Sequence, residues 1–317
     1  MQAAVVNVPG QAPKYQTFPD PTPVDGESLV HVRAAGLHNL VKSIASGAHY
    51  SASNAGPTVP GVDGVGVLED GSRVYFLFVR KPWGTMAELA AAPRKSLVPV
   101  PDGLDDVKAA AIGNPGMSAW ISLKDRAALS AGETVLIMGA TGVAGQLAIQ
   151  VARHLGAKRV IAAGRNVDAI ANADVDAIVS LTQPEDALRE ALSAHAASGI
   201  DVVVDFIWGR PTELLLEALA KGFNREATHR TRLVEVGAMA GPTITLPGAT
   251  LRSIDLTLMG SGFGSVPFDH VLATIRTLFE KAAAGQLTVN PEPVPLAHVE
   301  SAWNRVMKGR RIIFTTP

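Results

Sequence analysis

The stretch 133–157, ETVLIMGATGVAGQLAIQVARHLGA, constrains this chain more than any other. Val135, Leu136, Ile137 and Met138 form a short apolar run, and Gly139, Gly142 and Gly145 follow at three-residue spacing. Leu147, Ile149, Val151 and Leu155 then recur with helical rather than alternating spacing. The pattern reads as buried strand, tight glycine turn and helix. Such a turn lets the backbone come close to a pyrophosphate, and the helix N-terminus offers it free N–H groups and the positive end of a dipole. Gly139, Thr141, Gly142, Val143 and Ala144 are therefore the candidate contacts. The spacing is GxxGxxG, not the GxGxxG of the standard fingerprint, and a strand–helix turn without a ligand carries glycines too. The flanking strand and helix favour a dinucleotide site.

The rest of the composition mostly excludes. A chain of 317 residues suggests two domains. A net charge of −1 advertises no polyanionic partner, and no nucleic acid is expected. The absence of cysteine removes disulfides, thiolate metal sites and cysteine nucleophiles, and makes the reducing cytoplasm the simple expectation. MQAAVVNVPG lacks a basic start and a long apolar core, so no signal peptide is expected. Residues 134–152 carry no charge and raise a membrane question. Their glycines, two glutamines and strand–turn–helix pattern make them a buried core segment instead, and no membrane partner is expected.

Residues 1–118 read as β-rich and irregular, broken early by Pro9, Pro13, Pro19, Pro21 and Pro23. Strands are expected at 29–35 and 71–79, a short helix within 34–50, glycine-rich β structure at 57–68, extended chain at 97–101 and a helix over 105–112. From residue 119 strands and helices alternate, the signature of a parallel sheet covered by helices. Further strands are expected at 159–163, 176–180, 201–205, 233–237 and 256–260, with helices at 184–197 and 212–221. The run 223–232, with Arg225, His229, Arg230 and Arg232, reads as an exposed loop in preference to a phosphate site. Helices at 268–284 and 297–308 precede a last strand at 311–315. The strand 256–260 should form an apolar sheet edge, readily paired with a twofold copy, so a homodimer is expected.

These pieces, in this order, resemble the medium-chain dehydrogenase/reductase superfamily, and within it the zinc-independent quinone oxidoreductase group. The telling stretches are AAGLHNLVKSIASG at 34–47, VPGVDGVGVL at 59–68, AAAIGNPGMSAW at 109–120, the glycine turn, GSGFG at 260–264 and GRRIIF at 309–314. The resemblance implies an α/β fold: a Rossmann doubly wound parallel sheet, residues 119–263, plus a GroES-like β-rich catalytic domain, residues 1–118 and 264–317. It also implies that the nicotinamide is lined by Gly237, Ala238 and Met239, by Ser261, Gly262 and Phe263, and by Asn114 and Met117. Relatives use the edge strand for dimerisation.

Zinc-dependent relatives would place their catalytic ligands at His38, Val62 and Asn114. One histidine cannot hold a catalytic zinc that needs three protein ligands, so no metal is expected. No G-x-S-x-G elbow is present, and Gln146 stands where a P-loop requires lysine.

The second strand of the alternating region ends Gly164, Arg165, Asn166, with no carboxylate until Asp168. An acidic residue there would hold the ribose hydroxyl of NAD; the Arg165 fork suits the 2′-phosphate of NADP instead, although a solvated loop arginine is the plainer reading. Relatives also use a basic residue near the C-terminus, which makes Arg310 or Arg311 either a helper or a surface charge. On the substrate side the resemblance points to His38, Asn39, Lys42 and Tyr50, while Val41 and Ser43 depart from the family's aspartate and tyrosine. His38 serves equally well as a hydrogen-bonded packing residue, and Trp83 flanks the pocket or belongs to the core. The expectation is an NADP(H)-dependent reductase of quinones or α,β-unsaturated carbonyls, with Asn39 or Tyr50 polarising the carbonyl oxygen. A zinc-free alcohol dehydrogenase and an NADPH-binding protein without turnover are the alternatives.

Overall fold

The computed structural model describes residues 1–48, 56–221, 229–307 and 309–317. The chain divides into two compact units: Met1–Asn114 with Leu272–Pro317, and Pro115–Val271.

The first unit opens with the paired strands β1 (Gln2–Val5) and β2 (Lys14–Thr17), followed by β3 (Glu27–Gly36) and helix α1 (Asn39–Ala45). Strands β4 (Asp63–Val67), β5 (Arg73–Leu77), β6 (Leu89–Pro93) and β7 (Val98–Pro99) come next. Helix α2 (Asp106–Trp120) carries the chain across the division. Strand β3 alternates buried Val30 and Val32 with exposed His31 and Arg33, the period-2 pattern of a sheet with one covered face.

The second unit alternates without exception. Strands β8 (Thr134–Met138), β9 (Arg159–Gly164), β10 (Ala177–Ser180), β11 (Val202–Asp205), β12 (Arg230–Glu235) and β13 (Asp255–Gly260) are separated by α3 (Val143–His154), α4 (Glu185–Ala197), α5 (Arg210–Lys221) and α6 (Gly248–Ser253), with a 3-10 turn at Val167–Ile170. All five pairings are parallel, in the order β10-β9-β8-β11-β12-β13. The winding reverses between β8 and β11, so this is a doubly wound α/β sheet with its crevice outside the carboxyl ends of those strands. Leu136, Met138, Ile161, Val203 and Leu233 form its core with Leu188, Leu192 and Leu215 of the covering helices. Strand β13 is the sheet edge.

The chain ends with α7 (Phe268–Ala283), β14 (Pro291–Pro295), the short α8 (Val299–Ala302) and β15 (Arg311–Thr315). Strand β15 returns to pair antiparallel with β3, Ile313 opposite Gly36, and completes a seven-stranded sheet.

Three sequence expectations need correction. Helix α2 does not stop at Ile112. It runs through Gly113 and Pro115 to Trp120 and continues as a π-helix over Ile121–Arg126. Gly113 is no breaker there; it makes room for the Tyr75 ring, since a Cβ on it would lie 2.4 Å from that ring. The helix expected over 297–308 shrinks to a 3-10 turn at Leu296–His298 and the single turn of α8, with Lys308 outside the described residues. Arg230 and Arg232 stand in β12, where Arg232 pairs with Glu133 at 2.5 Å, and are not loop residues. Residues 222–228 of that run lie outside the described residues.

Candidate active site

The glycine turn after β8 contains two kinds of glycine. Gly139 has φ +87°, a left-handed conformation that L side chains rarely adopt. A Cβ on Gly145 would fall 2.4 Å from the Gly139 carbonyl oxygen, so helix and strand approach this closely only with glycine there. Both serve the fold. Gly142 does not: its φ is −81°, and a Cβ on it would find no atom nearer than 3.6 Å. Gly142 is the exposed N-cap of α3, and no side chain caps the helix. The first-turn N–H groups of an α-helix have no partner within it. Here those of Val143 and Ala144 lie beside a position kept clear of side chains. The N–H groups of Gly139 and Ala140 both donate to the Ala163 carbonyl at 2.9 Å, which fixes the turn to β9 and leaves Thr141 at its outer corner.

Strand β9 ends at Gly164, against which the Thr141 side chain packs. Arg165 follows, exposed and without a hydrogen-bonding or ionic partner among the described residues. Asn166 begins the 3-10 turn, and Asp168 is its first acidic residue. After β12 come Gly237, Ala238 and Met239, the last 57% exposed. After β13, Ser261 N–H donates to the Glu235 carbonyl at 2.8 Å, and Gly262 N–H to Ser265 Oγ at 2.8 Å, with half-buried Phe263 between them and Ser265. Gly260, Gly262 and Gly264 lack positive φ, and a Cβ on each would meet nothing within 4 Å. All four of these segments leave the carboxyl ends of parallel strands, where open α/β sheets bind ligands.

Two carboxyls border this edge. Asp205, buried at the end of β11, accepts N–H groups from Ile207 and Trp208 and the Thr212 hydroxyl at 2.5 Å, and so fixes the entry to α5. Burial raises its carboxyl above the usual range. Half-buried Glu235 lines a cleft of about 500 Å³ with Trp208, Leu258 and Met259. Burial and the charge of Asp205 push its carboxyl up as well.

In the first unit His38 is the N-cap residue of α1, without a side-chain cap bond. Its ring turns inward, and Nε2 lies 2.8 Å from Asp63 Oδ1. The Tyr75 hydroxyl donates to Asp63 Oδ2 at 2.8 Å. His38, Asp63 and Tyr75 form a buried hydrogen-bonded trio, and half-buried Arg311 feels the charge of Asp63 without pairing with it. Desolvation pushes its guanidinium down to about 10 against the pull of Asp63 and Tyr75, and its Nη1 has no hydrogen-bond partner. Burial, then Asp63, hold the Tyr75 phenol well above its usual range, so it stays a donor. Asn39 is exposed at the first position of α1; Lys42 is half-buried one turn on, its ammonium pushed down by desolvation. Tyr50 lies outside the described residues. Trp83 is half-buried, its Nε1 donating to the Pro19 carbonyl under the Arg80 guanidinium. Arg310 pairs with Glu292 at the surface.

No family model matches the chain. A probable NADPH-dependent quinone reductase of Emericella nidulans, tdiC, is 27% identical over 99% of both chains. The quinone oxidoreductase of Thermus thermophilus, solved also in complex with NADPH, is 27% identical over 99% of this chain and 100% of its own, with a TM-score of 0.76. Along its whole length the chain is thus similar to quinone oxidoreductases of the medium-chain dehydrogenase/reductase superfamily. It also matches, at 31% identity over 86% of its length, a segment of the spectinabilin polyketide synthase system protein NorB of Streptomyces orinoci, and spans only 12% of that protein.

The glycine turn, the uncapped α3 and Arg165, without a partner among the described residues, fit a phosphorylated dinucleotide: a cradle that a Cβ at Gly142 would begin to fill, and an exposed cation. The second unit holds Gly139, Thr141, Gly142, Val143, Ala144, Gly164, Arg165, Asn166, Gly237, Ala238, Met239, Ser261, Gly262 and Phe263, with Met117 buried in α2. Asn114, His38, Asn39 and Arg311 belong to the first unit. Sequence reasoning missed Asp63 and Tyr75 and read Arg311 as a phosphate contact or surface charge. One signal was available: an aspartate among Val62, Gly64 and Val65 in an apolar strand requires a buried partner. Among the described residues no cluster of His, Asp and Glu suits a metal, and no helix is long and apolar enough to cross a membrane.

Proposed function

We propose that this protein is an NADPH-dependent, zinc-independent reductase of quinones or α,β-unsaturated carbonyls, working in the cytoplasm as a homodimer. The observation that carries the cofactor choice is Arg165. It stands free where β9 ends, and an NAD enzyme would carry a carboxylate there. Gly139, Thr141, Gly142, Val143 and Ala144 hold the pyrophosphate, and Gly164, Arg165 and Asn166 hold the adenine ribose and its 2′-phosphate. Gly237, Ala238, Met239, Ser261, Gly262, Phe263, Asn114 and Met117 serve the nicotinamide end. NADPH, when bound, supplies a hydride to the electrophilic carbon of the acceptor.

The protein's own part is orientation and charge. Residues 119–263 position the coenzyme, and residues 1–118 with 264–317 receive the acceptor. Backbone N–H groups, Asn39 or Tyr50 donate to its carbonyl oxygen, where negative charge develops. Asp63 accepts from His38 Nε2 and so holds the imidazole in one orientation beside Asn39. The exposed edge of β13 supports pairing with a second copy.

The test titrates NADPH and NADH by fluorescence into the wild type and Arg165→Ala, and assays quinones, enones and alcohols as substrates. A charge-assisted hydrogen bond contributes about 1.5–3 kcal/mol, roughly ten- to hundredfold in Kd. The variant should weaken NADPH by about that factor, towards the lower end because Arg165 is exposed, and leave NADH almost unchanged. A wild-type preference for NADH overturns the cofactor choice. Light scattering at micromolar concentration checks the dimer.

A further inference from the structure

The π-helix Ile121–Arg126 is not needed to end α2; a helix can stop anywhere its carbonyls find water or a cap. A π-turn holds an extra residue per turn, which shifts the direction of the side chains that follow, and is frequent at functional sites. Here its last two residues point at one segment. Arg126 Nε donates to the Gly260 carbonyl at 2.9 Å, and Nη1 to the Ser265 carbonyl at 3.4 Å. Asp125 Oδ2 lies 3.1 Å from His270 Nε2, at the start of the helix that follows. One guanidinium therefore ties both ends of the loop 260–265. Inside the loop, Gly262 N–H donates to Ser265 Oγ at 2.8 Å and Ser265 N–H to the Gly262 carbonyl at 2.9 Å. The loop leaves the carboxyl end of β13, and a Cβ on any of its three glycines would meet nothing within 4 Å, so packing within the chain does not require glycine there.

We propose that Arg126 is a positioning residue for coenzyme binding. It clamps the loop 260–265 so that the backbone around Ser261 and Gly262 is preformed for the nicotinamide end of the dinucleotide. The assignment rests on the function proposed above. It makes the π-turn a device for aiming one arginine, and it gives Arg126 no contact with the reacting atoms. A clamp of this kind acts equally on NADPH and NADH, because the two are identical at that end. It does not act on 2′,5′-ADP, which has no nicotinamide.

The experiment compares wild type, Arg126→Ala and Arg126→Lys. It measures dissociation constants for NADPH, NADH and 2′,5′-ADP, thermal stability, and hydrogen exchange of the peptide covering 260–265. Loss of one charged donor predicts about tenfold weaker NADPH and NADH binding in Arg126→Ala. Affinity for 2′,5′-ADP should be unchanged, and exchange in the loop faster. Lysine reaches one carbonyl but cannot bridge two, so Arg126→Lys should fall between. Unchanged NADPH and NADH binding in Arg126→Ala overturns the proposal, as does an equal loss for 2′,5′-ADP, which would mark a general structural fault. If Arg126→Ala fails to fold, Arg126→Lys decides by the same two comparisons. A wild type that binds neither NADPH nor 2′,5′-ADP refutes the functional reading instead.

Discussion

Asp63→Ala removes the centre of the buried trio of His38, Asp63 and Tyr75, and its cost can be worked from the geometry. The Asp63 side chain is fully buried and accepts two hydrogen bonds at 2.8 Å, from His38 and Tyr75. Hydrogen bonds to a charged group contribute about 1.5–3 kcal/mol each, so the two account for about 3–6 kcal/mol. The deletion also removes the pull of the carboxylate on the Arg311 guanidinium, which forms no ion pair with it and so adds little. We expect a loss of about 3–6 kcal/mol, which for a domain of roughly 150–250 residues lowers Tm by about 6–24 °C. Scanning calorimetry follows the transition. The control is Asp63→Asn, which keeps the shape and one acceptor oxygen and should recover part of the loss. A cost below about 1 kcal/mol for Asp63→Ala, or Asp63→Asn no better than Asp63→Ala, refutes the account of Asp63 as the acceptor that holds His38 and Tyr75.

The two kinds of glycine should separate in a thermal-shift experiment with and without NADPH. Gly145→Ala forces a Cβ onto backbone atoms 2.4–2.5 Å away and should cost about 1–3 kcal/mol, while Gly142→Ala should leave stability nearly unchanged and weaken the NADPH-induced shift. Glu235→Gln should raise Tm at pH 7. Its folded pKa lies above the unfolded 4.5, so its stabilising share is present below that value and is lost as the pH rises through the folded one. The gain should therefore vanish towards pH 4; a gain independent of pH would remove ionisation as its cause. Elemental analysis of the purified protein should find no stoichiometric zinc, and about one zinc per chain would break the argument from His38, Val62 and Asn114.

What could be read from the sequence was what local spacing dictates. The strand, turn and helix of 133–157 appear as β8 and α3 because the apolar run, the glycines and the helical period are contiguous. The order of strands through β13 was legible for the same reason. The trio was not, because His38, Asp63 and Tyr75 come from three segments and meet only in the folded sheet. Helix α2 was read too short because Gly113 and Pro115 look like punctuation, while the reason for Gly113 is the ring of Tyr75. The helix expected over 297–308 shows the opposite error. Val299, Ala302 and Trp303 have helical spacing and are buried, but Val306 is 89% exposed and has no surface to cover, so the helix ends after one turn. The π-turn has no local signature at all.

The return of β15 to β3 has a consequence for how the protein is made. Ile313 pairs with Gly36, so the first unit cannot complete its sheet until β15 is synthesised. The second unit, Pro115–Val271, is contiguous and is synthesised whole before that. Domains generally fold as units during synthesis, and contacts between distant segments wait on loop closure. The second unit should therefore be folded while the sheet of the first is still open, with β3 lacking its β15 partner. Under the function proposed above, a chain stalled at that point would take up coenzyme and turn over nothing.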